Sequence, residues 1–248
     1  MKTMQILAQF HSPPDFAKPG DFVTHLTRMW TIIDALVQRD TRLAAWYLQA
    51  DTEDEARLYP VFVAPGAPST PALAVLSRRY KGEASFAKVV GIWNGHTDTN
   101  AATASLAVDT GALPEEIEID IPLRSEHGEV VEFCDFEAMT EFVAVVVKTY
   151  RPLYVSVGPR EYFYKQVFDD RPGVGWMLYL PRIVTMQQVP EARALIPVHA
   201  AGKQQTGTII VSVTDTVFST DNPEHIEIAN RIEIRLIDQG LLPRYADL

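Results

Sequence analysis

Apolar residues recur at steps of three and four positions in several stretches of the chain, a spacing that places them on one face of an α-helix. Four helices are predicted, at residues 21–38, 69–80, 135–150 and 223–239. The spacing is the basis for the first and third, and Ser69 or Thr70 followed by Pro71 marks the start of the second. Asp21 and Asp135 are suitable N-caps for two of them. The last segment also alternates like a strand, but the preceding Asn222-Pro223 and the following Gly240 favour a helix.

Other segments are rich in β-branched and aromatic residues or alternate between apolar and polar positions, as strands do. The predicted strands cover residues 4–10, 43–49, 88–93, 104–108, 116–121, 153–157, 175–181, 194–198 and 208–213. Asn94-Gly95 predicts a tight turn between two of these strands, and residues 51–69 are predicted to be irregular. The pattern favours an α+β fold, with mostly antiparallel sheets packed with about four helices.

The order of predicted elements is similar in two halves of the chain. Each half, about 1–124 and 125–248, runs from a helix to a strand, a short helix and further strands. Residue identity between the halves is very low. The chain is therefore expected to form a single domain of residues 1–248, either with two related α+β halves or with a coincidental repetition of order.

The formal net charge of −10 is concentrated in one part of the 248-residue chain. Between Asp109 and Glu141 there are 11 acids and one base, Arg124, whereas the rest of the chain has 21 acids and 21 bases. This distribution argues against binding nucleic acid through its phosphates and against docking to an anionic membrane. It favours a basic partner, a metal or a solubilising surface.

Within this segment, Glu116, Glu118 and Asp120 alternate with isoleucines, which places the three acids on one face of a strand. Three interpretations stay open: a solvated edge strand, a docking surface for a Lys/Arg-rich partner, and an active-site carboxylate pair. The candidate partner-binding residues are Glu115, Glu116, Glu118, Asp120, Glu126, Glu129 and Glu132.

The sequence carries no recognisable catalytic, metal-binding or cofactor-binding motif. Gly173 and Gly175 lack the third glycine of a nucleotide-binding loop, and the six histidines lack ligand spacing. Cys134 is the single cysteine, which excludes an intramolecular disulfide and suits a reducing compartment. We therefore expect no enzyme activity, no metal and no cofactor. With no signal peptide and no membrane span recognised, a cytoplasmic protein is expected.

Three further groups of residues are weaker candidate sites. His96-Thr97-Asp98 could be a metal or catalytic pair but is interpreted as a solvated turn. Cys134, seven residues after His127, could form a thiol–imidazole pair but is interpreted as a small apolar residue at a helix entry. A basic–aromatic patch either binds phosphate or a base, covers a loop, or contacts the acidic segment. Its members are Arg160, Tyr162, Tyr164, Lys165 and Arg171.

The segment Gly175–Pro181, GWMLYLP, follows an N-terminal strand and amphipathic helix and precedes a final helix with a Gly-Leu-Leu-Pro exit at Gly240–Pro243. Together these features resemble the immunity protein 52 family of bacterial polymorphic-toxin and type VI secretion systems. The GWMLYLP segment itself is expected to be core and turn rather than a contact site.

This resemblance implies a protein that binds and neutralises a cognate secreted antibacterial toxin, often a nuclease. The charge distribution adds the expectation of no nucleic-acid and no membrane partner. Nucleases that bind DNA need basic surfaces, so an inhibitor can present carboxylates where phosphates would lie. Two other functions stay open: a metal-dependent hydrolase that uses clustered carboxylates, and a structural or scaffold protein of a secretion apparatus.

Overall fold

The computed structural model describes residues 3–82, 87–122, 135–200 and 204–248. The α-helices in these residues are α1 (Phe22–Val37), α2 (Glu53–Ala56), α3 (Thr70–Arg79), α4 (Phe136–Tyr150) and α5 (Pro223–Asp238). The strands are β1 (Thr3–Phe10), β2 (Tyr47–Leu48), β3 (Phe62–Ala64), β4 (Ala67–Pro68), β5 (Lys88–Trp93), β6 (Thr103–Val108), β7 (Glu115–Pro122), β8 (Tyr154–Gly158), β9 (Met177–Leu180), β10 (Ala194–His199) and β11 (Gln205–Val211). The predicted α+β class with antiparallel sheets is confirmed.

The chain divides into two compact units. The first lies within residues 10–132 and the second within residues 2–9 and 133–248. In the first unit the hydrogen-bonded strand order is β7-β6-β5-β2, beside a small β3–β4 hairpin. In the second unit the order is β10-β11-β9-β8-β1. A common origin of the two halves by duplication stays a prediction.

The core of the first unit follows from the alternation seen in the sequence. Ile117 and Ile119 of β7 pair with Leu106 and Ala104 of β6, and all four side chains are buried. Helix α1 contributes a buried apolar stripe at helical spacing, and the Asp21 side chain caps it by accepting a hydrogen bond from Thr24 N at 3.1 Å. The predicted start and buried face of this helix are therefore confirmed.

The core of the second unit contains the GWMLYLP segment. Trp176 is completely buried, and its indole Nε1 donates to Val213 O at 2.9 Å. The four residues of β9 that follow it are buried as well. The expectation that this segment is core and turn is confirmed.

Two segments before residue 70 differ from their predictions. Residues 43–49 do not form one strand: a 3-10 turn occupies Thr41–Leu43, and only Tyr47–Leu48 pairs with β5. The cause is local hydrogen bonding, because the Asp40 side chain caps the turn at Arg42 N and the Trp46 indole donates to Leu43 O. The segment 51–69 is also less irregular than predicted, since it contains α2 and the β3–β4 hairpin.

Asn94-Gly95 does not form a two-residue hairpin. Strands β5 and β6 are joined by residues 94–102, and the Asn94 side chain closes this longer loop. Its Nδ2 donates to Asn100 O at 2.9 Å, and its Oδ1 accepts from Ala102 N at 2.9 Å. The side chain thus satisfies backbone groups that a tight turn would have paired with each other.

The N-cap of α3 gives a first test of the fold. Ser69 is buried, its Oγ accepts from Ala72 N at 3.1 Å, and it donates to Pro60 O. Ser69→Ala should lower the free energy of unfolding by about 1–2 kcal/mol, because both hydrogen bonds are lost. Urea denaturation measures this effect. Ser77→Ala, at an exposed position of the same helix, should change stability by less than about 0.5 kcal/mol. Equal effects of the two variants would contradict the capping role.

Candidate functional site

Strand β7 presents three carboxylates on one face, which we call the acidic row: Glu116, Glu118 and Asp120. Their partners in register on β6 are Ala107, Ser105 and Thr103. The two glutamates are half-buried and Asp120 is 8% exposed, with Thr103 Oγ1 donating to Asp120 Oδ2 at 3.4 Å. The prediction that the three acids share a strand face is confirmed.

The sheet beside the acidic row is polar and carries small side chains. After Thr103 and Ser105 of β6 comes Gly91 of β5, where an added Cβ would lie 2.3 Å from Gln49 Oε1. The Gln49 side chain therefore crosses β5 at the place that a larger residue would fill. At the end of β5, the Arg57 guanidinium lies 5.3 Å from the Trp93 ring centre and donates to Gly95 O at 2.7 Å.

Glu115 does not belong to this face, because neighbouring residues of a strand point to opposite sides. Its carboxylate accepts a hydrogen bond from Ser12 Oγ, and Arg28 Nη1 donates to the same hydroxyl oxygen at 2.9 Å. The Arg28 guanidinium makes cation–π contacts with two rings, at 4.4 Å from the centre of Phe16 and 5.1 Å from that of Phe10. Glu115 is thus engaged inside the first unit.

Asp109, the first acid of the acidic segment, is also held internally. Its Oδ2 accepts from Lys88 Nζ at 2.7 Å and from Gly20 N at 2.8 Å. Asp135 caps α4. The predicted contact residues Glu126, Glu129 and Glu132 lie outside the described residues, as do His127 and Cys134. Among the described candidates, the acidic row is the set that β7 brings onto one face.

His25 of α1 lies buried near these engaged acids, with its ring edge-on to Phe16 at a centroid distance of 5.7 Å. No hydrogen-bond partner for its Nε2 is present in the described part of the chain. Burial lowers the pKa of His25, and Arg28 acts in the same direction. Glu115, Asp109 and Asp21 oppose the shift without reversing it.

This lowered pKa predicts a pH dependence of stability. Below about pH 6.5 the unfolded chain binds a proton at His25 that the folded chain resists, so stability falls as the pH decreases toward the folded-state pKa. One such proton gives a slope of about 1.4 kcal/mol per pH unit at most. His25→Leu should be at least as stable as the wild type at about pH 8 and should lose less stability on acidification. Urea denaturation between about pH 5 and 8 measures the difference, and identical pH profiles would contradict it.

The described residues contain neither a cluster of metal-ligand side chains nor a helix of membrane-spanning length and apolarity. No group of three His, Cys, Asp or Glu residues suited to a metal ion occurs within residues 3–82, 87–122, 135–200 and 204–248. Across the same residues, no helix is both long and apolar enough to cross a membrane.

In the loop at His96-Thr97-Asp98, Trp93 Nε1 donates to His96 O, and Asp98 Oδ1 accepts from Asn100 N. The backbone of His96 and the carboxylate of Asp98 thus help to close the loop.

The second unit has an open cleft of about 840 Å³ at the C-terminal end of α4. Lys148, Arg151 and His199 line it together with apolar residues and the phenol of Tyr179, whose pKa is raised by burial. Bases in the last turn of a helix complement its dipole, which accounts for Lys148 and Arg151 without a ligand.

The predicted basic–aromatic patch is divided in the structure. Tyr162 points inward and donates its hydroxyl hydrogen bond to Glu233, while Lys165 Nζ donates to Thr220 O. Arg171 donates to Leu242 O and lies beside Asp170. Two adjacent aromatic side chains of the patch region remain exposed, Phe163 and Tyr164. Phe163 and the buried Glu233 were not identified from the sequence, although Glu233 lies at helical spacing among the buried residues of α5.

A comparison with protein families decides the affiliation. The family model described as immunity protein 52 matches residues 22–244, which is most of the chain. The chain belongs to the immunity protein 52 family. The resemblance noted in the GWMLYLP segment and its surroundings is therefore confirmed. No curated protein matches this immunity protein 52 chain in sequence.

The fold of this immunity protein 52 chain is similar to that of a solved bacterial structure. It matches Pseudomonas aeruginosa T6SS protein PA0821 with a TM-score of 0.57, covering 99% of this chain and 77% of that one. Sequence identity is 10%, so the likeness concerns the fold alone.

Proposed function

We propose that this immunity protein binds a cognate secreted antibacterial toxin with a basic, nucleic-acid-cleaving domain, and blocks it through the acidic row. The observation that carries the proposal is the family match over residues 22–244. The row of Glu116, Glu118 and Asp120 supports the choice of surface, because it concentrates three carboxylates on one strand face.

The physical basis is charge complementarity with a surface built for phosphates. A nuclease domain draws much of its affinity for DNA from Lys and Arg, and carboxylates can occupy the same positions. Alternate residues of a strand lie about 7 Å apart, so Glu116 and Glu118 present two half-buried carboxylates at that spacing, beside the buried Asp120. Opposite charges accelerate encounter, to about 10⁸–10⁹ M⁻¹s⁻¹ at low salt in favourable cases. Because β7 is a sheet strand, little ordering of the backbone is needed on binding.

Charge reversal in the row tests this proposal. The probe is the purified C-terminal domain of the protein encoded by the open reading frame next to the gene of this chain, where we expect the cognate toxin. Glu116→Lys/Glu118→Lys should weaken the Kd at least about tenfold at about 0.1 M salt, mainly through slower association, and the loss should shrink at about 0.5 M salt. Glu116→Gln/Glu118→Gln, with a smaller charge change, should lie between this variant and the wild type.

The matched control is Glu53→Lys/Asp54→Lys, which makes the same charge change at exposed positions of α2. It should change the Kd less than about threefold, since screening weakens distant charges. Melting temperatures of all variants show whether each is folded. An unchanged Kd and salt dependence in the row variants would exclude the row as the contact and leave the immunity role intact. A wild-type chain that fails to bind the toxin domain would contradict the proposed function itself.

A further inference from the structure

The most exposed aromatic side chains of the second unit stand next to each other in a short 3-10 turn, Arg160–Tyr164. Tyr164 is 86% exposed and Phe163 is 55% exposed. Their rings meet edge to face at a centroid distance of 5.6 Å. We call Phe163 and Tyr164 the aromatic turn. Two neighbouring exposed rings form a contiguous apolar surface, which scattered single residues do not.

A buried network holds the aromatic turn in place. Tyr162, between the turn and the core, is 4% exposed, packs edge-on against Phe218, and donates to Glu233 Oε1 at 2.7 Å. Glu233 of α5 is 1% exposed and also accepts from Val174 N at 2.9 Å and from Val167 N at 2.8 Å. One carboxyl group therefore fixes the tyrosine inside the turn and the chain that follows it, at Val167 and Val174.

Two glycines provide the space for this arrangement. An added Cβ at Gly173 would lie 3.2 Å from the Tyr162 ring and 2.4 Å from Gln166 Oε1. At Gly175, which has a φ of +52°, an added Cβ would lie 2.7 Å from the backbone oxygen of Val157. The RPGVGW segment, which lacks the features of a nucleotide loop, thus lets the backbone pass beside the Tyr162 anchor.

The network holds the two exposed rings in a fixed position. A carboxyl group buried to this degree is expensive, and the burial raises the pKa of Glu233. An apolar contact would attach a surface turn at lower cost. What the network adds is a fixed position for two exposed rings, and rigid aromatic side chains are typical of binding hot spots because little conformational entropy is lost on docking.

We propose that the aromatic turn is a hot-spot anchor that inserts into an apolar pocket of the cognate toxin. The inference rests on the proposed function and adds to it a contact that does not depend on charge. A phosphate-bearing partner would need available bases beside the rings. Lys165 and Arg171 instead donate to backbone carbonyls of Thr220 and Leu242, and the exposed Arg160 is followed directly by the exposed acid Glu161. A protein pocket is therefore the occupant that fits.

The test compares three variants with the wild type against the same purified toxin domain. Phe163→Ala/Tyr164→Ala should weaken the Kd at least about thirtyfold at both about 0.1 M and about 1 M salt, as loss of a hot spot does. Tyr164→Phe keeps the ring and should stay within about threefold of the wild type. Ile183→Ala/Met186→Ala removes exposed apolar side chains elsewhere in the same unit and should also stay within about threefold.

The outcomes separate this inference from the proposed function. If the wild type binds and the alanine double variant binds equally well, the aromatic turn is not an anchor and the proposed function stands. The inference is also overturned if the loss disappears at high salt, or if the control variant loses as much affinity. Sedimentation at about 100 μM gives a further check: a wild-type dimer that becomes monomeric in the double variant would make a second copy of this chain the occupant. No binding by the wild type would overturn both.

Discussion

Glu233→Ala is expected to lower the free energy of unfolding by about 3–5 kcal/mol, the largest effect of any single carboxyl in the described residues. The substitution leaves the backbone N–H groups of Val167 and Val174 without an acceptor, and Tyr162 OH keeps only Asn230 Oδ1, at 3.0 Å. Each unsatisfied donor costs about 1–3 kcal/mol. Burial and the neighbouring Glu233 carboxyl raise the pKa of Tyr162, so its hydroxyl remains protonated and needs its acceptor.

Two comparisons make the test of Glu233 specific. Glu233→Gln keeps the shape, but its amide nitrogen turns one acceptor into a donor, so we expect a loss of about 1–3 kcal/mol. Glu227→Ala on the same helix removes an exposed ion pair with Arg231 and should cost less than about 0.5 kcal/mol. Urea denaturation measures all three. A Glu233→Ala variant no less stable than Glu227→Ala would contradict the anchoring role.

Trp176→Ala should destabilise the second unit by about 3–5 kcal/mol. The indole is completely buried, so its removal loses apolar burial and leaves a cavity, and Val213 O loses the Nε1 hydrogen bond. Trp176→Phe fills most of the space and should cost about 1–3 kcal/mol. Denaturation followed by far-UV circular dichroism measures both without relying on the missing tryptophan.

Toxin binding distinguishes core from contact at this position. Because Trp176 and the strand that follows it are buried, Trp176→Phe should bind the toxin domain with the wild-type Kd under all conditions in which the variant is folded. The exposed Ile183→Ala serves as the stability control and should cost less than about 0.5 kcal/mol. A stable Trp176→Ala variant that loses toxin affinity would contradict a purely structural role for the segment.

Much of the secondary structure was predictable because its determinants are local. Asp21, Ser69 and Asp135 cap the helices that their positions predict, and the charged–apolar alternation of 116–121 correctly separates the two faces of β7. The wrong predictions also have local causes, namely side-chain hydrogen bonds that the pattern of apolar residues does not reveal. The Trp46 indole and the Asn94 amide bond to backbone groups nearby and replace the predicted strand and tight turn.

Within the candidate site, the sequence predicts only the features that lie in a single strand. Alternation identifies the acidic row but gives no partner for Glu115, because Ser12, the hydroxyl that donates to it, lies 103 residues away in the sequence. The same limit applies to the aromatic turn. Tyr162 and Tyr164 look alike in sequence, and only the tertiary contact of Tyr162 with Glu233 turns one inward and leaves the other exposed.

The most direct test of the central claim is inhibition of the toxin by this chain in a purified system. The domain expected to be the cognate toxin, from the neighbouring open reading frame, is incubated with plasmid DNA and increasing amounts of the wild-type protein. We predict that an equimolar amount stops cleavage, and that Glu116→Lys/Glu118→Lys needs at least about ten times more protein when salt is low. Cleavage that continues unchanged in about tenfold excess of folded wild-type protein would contradict the proposed neutralisation of a nuclease toxin.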